Sequence, residues 1–174
     1  MKIDKTTHYK GFSKIYFKKI ISSIIKIGNL DTKEKIILDF GCGEKYLSKT
    51  LPQKKILNYD VDPKYSDYED YKNLYFDIVV FNHVLMYMDK KEIISTFFNI
   101  QKINKNCRFL IGIGKEKFLN KMAAFVTLNL QAHKGTRSSY TEQMNIINEK
   151  MNILDTKKNI FFMSDIYYLK FKNE

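Results

Sequence analysis

Three polar residues able to hold a ligand stand at the ends of apolar runs: Asp39 after IIL, Asp60 after ILNY and Asn82 after IVVF. The first leads straight into Gly41-Cys42-Gly43, followed by Glu44 and Lys45. Two glycines one residue apart mark a sharp turn, or a point where backbone must come close to something else. Strand, glycine turn and helix in that order suggest a nucleotide, and the acids decide which kind. A dinucleotide site needs Gly-x-Gly-x-x-Gly and a helix N-terminus open to pyrophosphate. Here the sixth position is Tyr46, and Asp39 and Glu44 would repel a diphosphate. A ligand with a ribose and no phosphate removes the conflict. Asp60, at what reads as an exposed strand end, is placed to accept hydrogen bonds from two ribose hydroxyls. Asp39 suits an ammonium group or a sulfonium-bearing chain.

These residues form a site only if a scaffold brings the strand ends together. A stripe of Phe12, Ile15, Tyr16, Ile20, Ser23, Ile24 and Ile27 predicts a helix over residues 12–27, ended by Gly28-Asn29. KIILDF (35–40) reads as a buried strand, residues 46–51 as a short helix closed by Pro52, and KILNYD (55–60) and FDIVVFN (76–82) as further strands. Asp89-Lys-Lys-Glu92 is a capping box opening a helix to about residue 104. CRFLIGIG (107–114) is the next strand, residues 117–131 the next helix, and Ser139-x-x-Glu142 caps another helix to about residue 150. Residues 153–163 and 166–172 read as a hairpin with Ser164-Asp165 as its turn. Strands that are apolar throughout, alternating with helices, indicate an α/β fold with a mostly parallel sheet covered on both faces. The terminal hairpin adds an antiparallel edge. Ligands of such sheets lie beyond the carboxyl ends of the strands, at the switch point, and Asp39, Gly41, Gly43, Asp60 and Asn82 all fall there.

A ribose, a cationic sulfur, an amino group and a neutral adenine are the parts of S-adenosylmethionine. Over residues 30–172 the chain resembles the class I S-adenosylmethionine-dependent methyltransferases. The signposts are ILDFGCGEK (37–45), NYDVDP (58–63), FDIVVFNHVLMYM (76–88), FLIGIGK (109–115) and the closing hairpin. The resemblance implies a Rossmann-like, doubly wound fold. It further implies that Asp39, Gly41 and Gly43 wrap the methionine portion with Cys42 between them. Asp60 would take the ribose, Val61 would lie against adenine, and Asn82 would meet the amino group through its backbone. Residues 1–174 read as a single domain, with 1–29 an N-terminal helical lid and 30–174 the catalytic core. Two departures stand out. Lys45 occupies the position of the motif's third glycine, and the stretch from Asp60 to Phe76 is too short for the usual helix and third strand. Asp67, with Asp70 as the alternative, is assigned the acid that normally meets the adenine amine.

The chain of 174 residues carries a net charge of +11, yet only Arg108 and Arg137 are arginines, the other basic residues being lysines spread throughout. Nucleic-acid readers lean on arginine, so the charge reads as composition and solubility. Cys42 and Cys107 fit neither a disulfide framework nor a zinc site and are read as reduced thiols of a cytoplasmic protein. The N-terminal stretch lacks the apolar segment of a signal peptide, and no apolar run approaches a membrane span. The expected function is methylation, on oxygen or nitrogen, of a small molecule: a metabolite, or a glycan or lipid intermediate. RNA methylation and a non-catalytic cofactor-binding partner protein are the alternatives. Of His8, His83 and His133, the last is assigned as base or acceptor-orienting group, because it lies in the polar segment QAHKGTRSSY.

Overall fold

The computed structural model describes residues 12–32, 34–115, 135–160 and 163–172. Helix α1 (Phe12–Gly28) buries Ile20, Ile21, Ser23 and Ile24. Ile15, assigned to the same stripe, is 59% exposed. At about 100° per residue, five positions put it on the far side of the helix from Ile20, and Ile21 takes the core position. Strand β1 (Ile37–Phe40) is buried at every residue, Asp39 included. It is followed by α2 (Tyr46–Thr50), β2 (Ile56–Tyr59), β3 (Ile78–Asn82), a 3-10 turn (Leu85–Tyr87) and α3 (Lys90–Ile103). Then come β4 (Arg108–Gly114), α4 (Tyr140–Lys150), β5 (Met151–Ile160) and β6 (Ser164–Phe171). The helix expected over 117–131 lies outside the described residues.

The strands form one sheet in the order β2-β1-β3-β4-β6-β5. Strands β1 to β4 are parallel, while β6 runs antiparallel to both β4 and β5. This is a Rossmann-like α/β sheet, mostly parallel with an antiparallel terminal hairpin. The order reverses between β1 and β3, so the carboxyl ends of β1, β2 and β3 frame a crevice. Side chains alternate across the sheet into two core layers. Leu38, Phe40, Phe81, Phe97 and Phe109 pack on the α3 face, and Ile37, Ile78, Val80 and Leu110 pack with Ile20 and Ile24 on the α1 face.

Helix starts follow the sequence reading. Asp89 accepts from the Glu92 N–H at 2.9 Å while Glu92 accepts from the Asp89 N–H at 2.8 Å, and Ser139 accepts from the Glu142 N–H at 3.1 Å. The hairpin differs from expectation. Ser164 and Asp165 lie in β6, paired with Gly114 and Ile113, and the reversal is closed earlier by the Met163 N–H on the Ile160 carbonyl at 3.0 Å. Both side chains are buried in polar contacts, which a turn at the surface would not provide. Between Asp60 and Phe76 there is no helix or strand. That loop instead covers the free edge of β2, the Asp67 N–H donating to the Asn58 carbonyl at 2.9 Å.

Candidate cofactor site

The glycine turn after β1 is held by the end of β2. Gly41 and Cys42 N–H groups both donate to the Tyr59 carbonyl, at 2.7 and 3.1 Å. The Gly43 N–H donates to Asp60 Oδ2 at 3.0 Å, and the Asp62 N–H to Asp60 Oδ1 at 3.0 Å. The two glycines serve different ends. Gly41 has φ +74°, and a Cβ on it would meet Val84 Cγ2 at 2.5 Å. Gly43 has φ +47°, but a Cβ there would meet nothing within 4 Å. The first is required by its neighbours; the second opens onto free space. Lys45, in place of a third glycine, adopts φ 56° as the N-cap of α2, at a cost of about 1–2 kcal/mol for an L-residue. Its ammonium pairs with Asp67, whose other oxygen accepts from Asn58 Nδ2 at 2.8 Å.

Asp39, Gly41, Cys42, Gly43, Asp60, Val61 and Asn82 line one cavity of about 660 Å³. Asp67 does not reach it; Lys45 and Asn58 hold its carboxylate below the usual range. His133 lies outside the described residues, as does His8. Asp60 is not at an exposed strand end, being 5% exposed because its carboxylate closes the glycine turn. Asp39 is equally buried, and desolvation, reinforced by the nearby Asp60 charge, pushes its carboxyl up to about 7. Burial, with Asp39 and Asp60 alongside, pushes the Cys42 thiol up to about 12, and its Sγ donates to the Tyr65 carbonyl at 3.3 Å. Val61 is 79% exposed at the rim, and Asn82 Oδ1 is buried with no hydrogen-bond partner among the described residues.

Other cavity walls were not singled out residue by residue in the sequence. Phe17 and Ile21 come from α1; Val84, Tyr87 and Met88 come from the turn after β3; Tyr71 comes from the loop over β2. Arg137 closes one end, with its guanidinium forked between Asp89 Oδ2 at 2.7 Å and Glu92 Oε2 at 2.8 Å. Its N–H donates to the Met86 carbonyl at 2.7 Å, and Ser138 Oγ to the Leu85 carbonyl at 2.8 Å. Residues this far apart in sequence meet only through the fold, so no spacing announces them. Among the charged lining residues, Asp39, Glu44, Asp60 and Glu92 outnumber Lys72 and Arg137. The chain as a whole carries +11, so its cavity opposes the charge of its surface.

No protein-family model and no curated protein sequence matches the chain. Solved structures do match its fold. The magnesium protoporphyrin IX methyltransferase of Synechocystis, with S-adenosylhomocysteine bound, superposes with a TM-score of 0.64 at 14% identity, covering 97% of this chain and 92% of that one. The N-methyltransferase NodS of Bradyrhizobium japonicum gives 0.62 at 14% identity, covering 91% and 98%. An S-adenosylmethionine-dependent methyltransferase of Clostridium acetobutylicum gives 0.64 at 14% identity, covering 98% and 99%. The chain therefore has the fold of the S-adenosylmethionine-dependent methyltransferases.

Proposed function

We propose that the protein is a methyltransferase that moves the methyl group of S-adenosylmethionine to an oxygen or nitrogen of a small-molecule acceptor. One observation carries the reading: two buried acids, Asp39 and Asp60, flank a glycine turn at the carboxyl ends of adjacent strands and line one cavity. Such a site rejects phosphate and favours a cation. Asp39, hard to ionise where desolvation and the Asp60 charge oppose it, ionises readily once an ammonium or sulfonium lies beside it. Asp60 spends one acceptor position of each oxygen on backbone N–H groups. A carboxylate accepts at both oxygens, and from its place on the cavity wall Asp60 suits the hydroxyls of a ribose. Val61 offers an uncovered apolar surface to adenine, and the Asn82 backbone lies at the methionine end.

The cofactor supplies an activated methyl group, open to in-line displacement. The chain's part is alignment and exclusion of water, for which Phe17, Ile21, Val84 and Met88 provide apolar walls. A magnesium protoporphyrin IX methyltransferase of the same fold supports a small acceptor. The acidic cavity lining tells against RNA. Calorimetry with S-adenosylmethionine, S-adenosylhomocysteine and NAD tests the reading. The first two should bind and NAD should not; NAD binding tighter than the methyl donor overturns it.

A further inference from the structure

Neither acid weighed for the adenine amine lines the cavity. Asp67 is tied to Lys45 and Asn58. Asp70 accepts from the Lys72 N–H at 3.0 Å and faces the Lys72 ammonium at 3.5 Å. The same loop instead presents Tyr71 to the cavity. This side chain is 5% exposed, with its ring centroid 5.0 Å from that of Phe40 and 5.2 Å from that of Tyr59. All three residues line the cavity. Tyr59 directly precedes Asp60 and Val61, so this aromatic wall begins beside the acid assigned to the ribose. The flat face of a purine packs well on such rings.

Helix α3 adds four polar residues to the lining: Glu92, Ser95, Thr96 and Asn99. Two of them are engaged. Glu92 is held by Arg137 and by the Asp89 N–H, and Ser95 Oγ donates to the Glu92 carbonyl at 3.0 Å. The Thr96 hydroxyl and the Asn99 amide have no hydrogen-bond partner among the described residues, although Thr96 is only 7% exposed. Phe97 sets the rotation of the helix, its ring 6.0 Å from Phe81 and 5.5 Å from Phe109. At about 100° per residue, Thr96 and Asn99 stand about 100° and about 160° round from Phe97 in the same sense. Phe98, turned the other way, is 54% exposed. Resting on the methyltransferase reading, we propose that Thr96 and Asn99 read the adenine edge of the cofactor from α3, in place of an acid from a third strand. An amide both accepts and donates, so Asn99 can take a 6-amino hydrogen on Oδ1 and give an Nδ2 hydrogen to the adjacent ring nitrogen. The Thr96 hydroxyl, three residues nearer the helix start, adds a further donor or acceptor. These neutral groups suit a neutral base, whereas the acids at the glycine turn suit the cationic end of the ligand.

The test needs no acceptor. Calorimetry compares S-adenosylhomocysteine with its analogue carrying hydrogen in place of the 6-amino group. The wild-type protein should prefer the amino compound by about tenfold, the scale of hydrogen bonds lost between neutral groups. In Asn99→Leu, close in size, the preference should fall to about threefold or less. The loss should come from weaker binding of the amino compound, with the analogue bound as by the wild type. Thr96→Val keeps the side-chain shape, should narrow the preference in the same direction, and serves alone if Asn99→Leu fails to fold. A wild-type preference kept in the folded variants, as a merely structural role would give, overturns the proposal. So does a wild-type protein that binds both compounds alike, and either result leaves the methyltransferase reading standing. Failure of the wild-type protein to bind S-adenosylhomocysteine at all overturns both.

Discussion

Replacing Asp39 with asparagine should stabilise the empty protein at mildly alkaline pH while damaging the site. Asp39 is 5% exposed, and its carboxyl is raised from 3.8 to about 7, first by desolvation and then by the Asp60 charge. An acid whose folded value lies above its unfolded one favours folding while protonated. That advantage is complete below about pH 4 and is lost as pH rises through about 7. At 1.36 kcal/mol per pH unit, the gap corresponds to about 4 kcal/mol, an upper value because water can enter the cavity. Asparagine has nearly the same shape and no charge to desolvate. Urea unfolding of both proteins should therefore give equal stabilities near pH 4 and a growing advantage for Asp39→Asn towards pH 8. Comparing variant with wild type cancels the pH dependence of the rest of the +11 chain. Calorimetry in the same buffers should show the opposite trend for the cofactor. The loss of one charge-assisted hydrogen bond, about 1.5–3 kcal/mol, lowers affinity by roughly 10- to 100-fold at pH 8. Wild-type affinity should fall as pH drops below about 7, and the variant's should stay flat. A wild-type protein that is at least as stable as the variant at pH 8 would refute the reasoning.

Asp60→Ala should lower affinity for S-adenosylmethionine by about one to two orders of magnitude in calorimetry. It should also cost the empty protein about 1–3 kcal/mol in urea unfolding, since the Gly43 and Asp62 N–H groups lose their acceptor. Unchanged binding with lost stability would make Asp60 structural only. Gly41→Ala places a Cβ 2.5 Å from Val84 Cγ2 at φ +74°, so unfolding midpoints should drop by the equivalent of about 1–3 kcal/mol. We propose His133 as base or acceptor-orienting group. Once an acceptor is in hand, His133→Ala should slow turnover by about tenfold or more without changing the cofactor dissociation constant, and wild-type rates would relegate His133 to the surface.

What could be read from the sequence shares one physical property: it leaves its mark within a few consecutive residues. Burial on both faces makes Ile78 to Phe81 of β3 a continuous apolar run, positive φ selects Gly41 and Gly43, and helix N-caps keep a fixed spacing to the acid three residues on. Asp39, Asp60 and Asn82, which line one cavity, stood out because each follows such a run. The errors have equally local causes. Ser164-Asp165 looked like a turn because two polar residues interrupt an apolar tail. Their polarity in fact serves partners on other elements: Tyr16 and His83 for one, Lys115, Tyr140 and the Asn159 N–H for the other. Asp67 looked free to meet adenine because nothing in the sequence links it to Lys45 or Asn58. The fork of Arg137 on Asp89 and Glu92 is hidden in the same way. Ion pairs and hydrogen-bond chains between elements depend on the completed sheet, so sequence reading finds a glycine turn at a strand end before it finds the side chains that meet across the cavity. The cavity walls must therefore be argued from contacts such as Tyr16–Ser164–His83, where residues from α1 and β6 meet a histidine that lines the cavity.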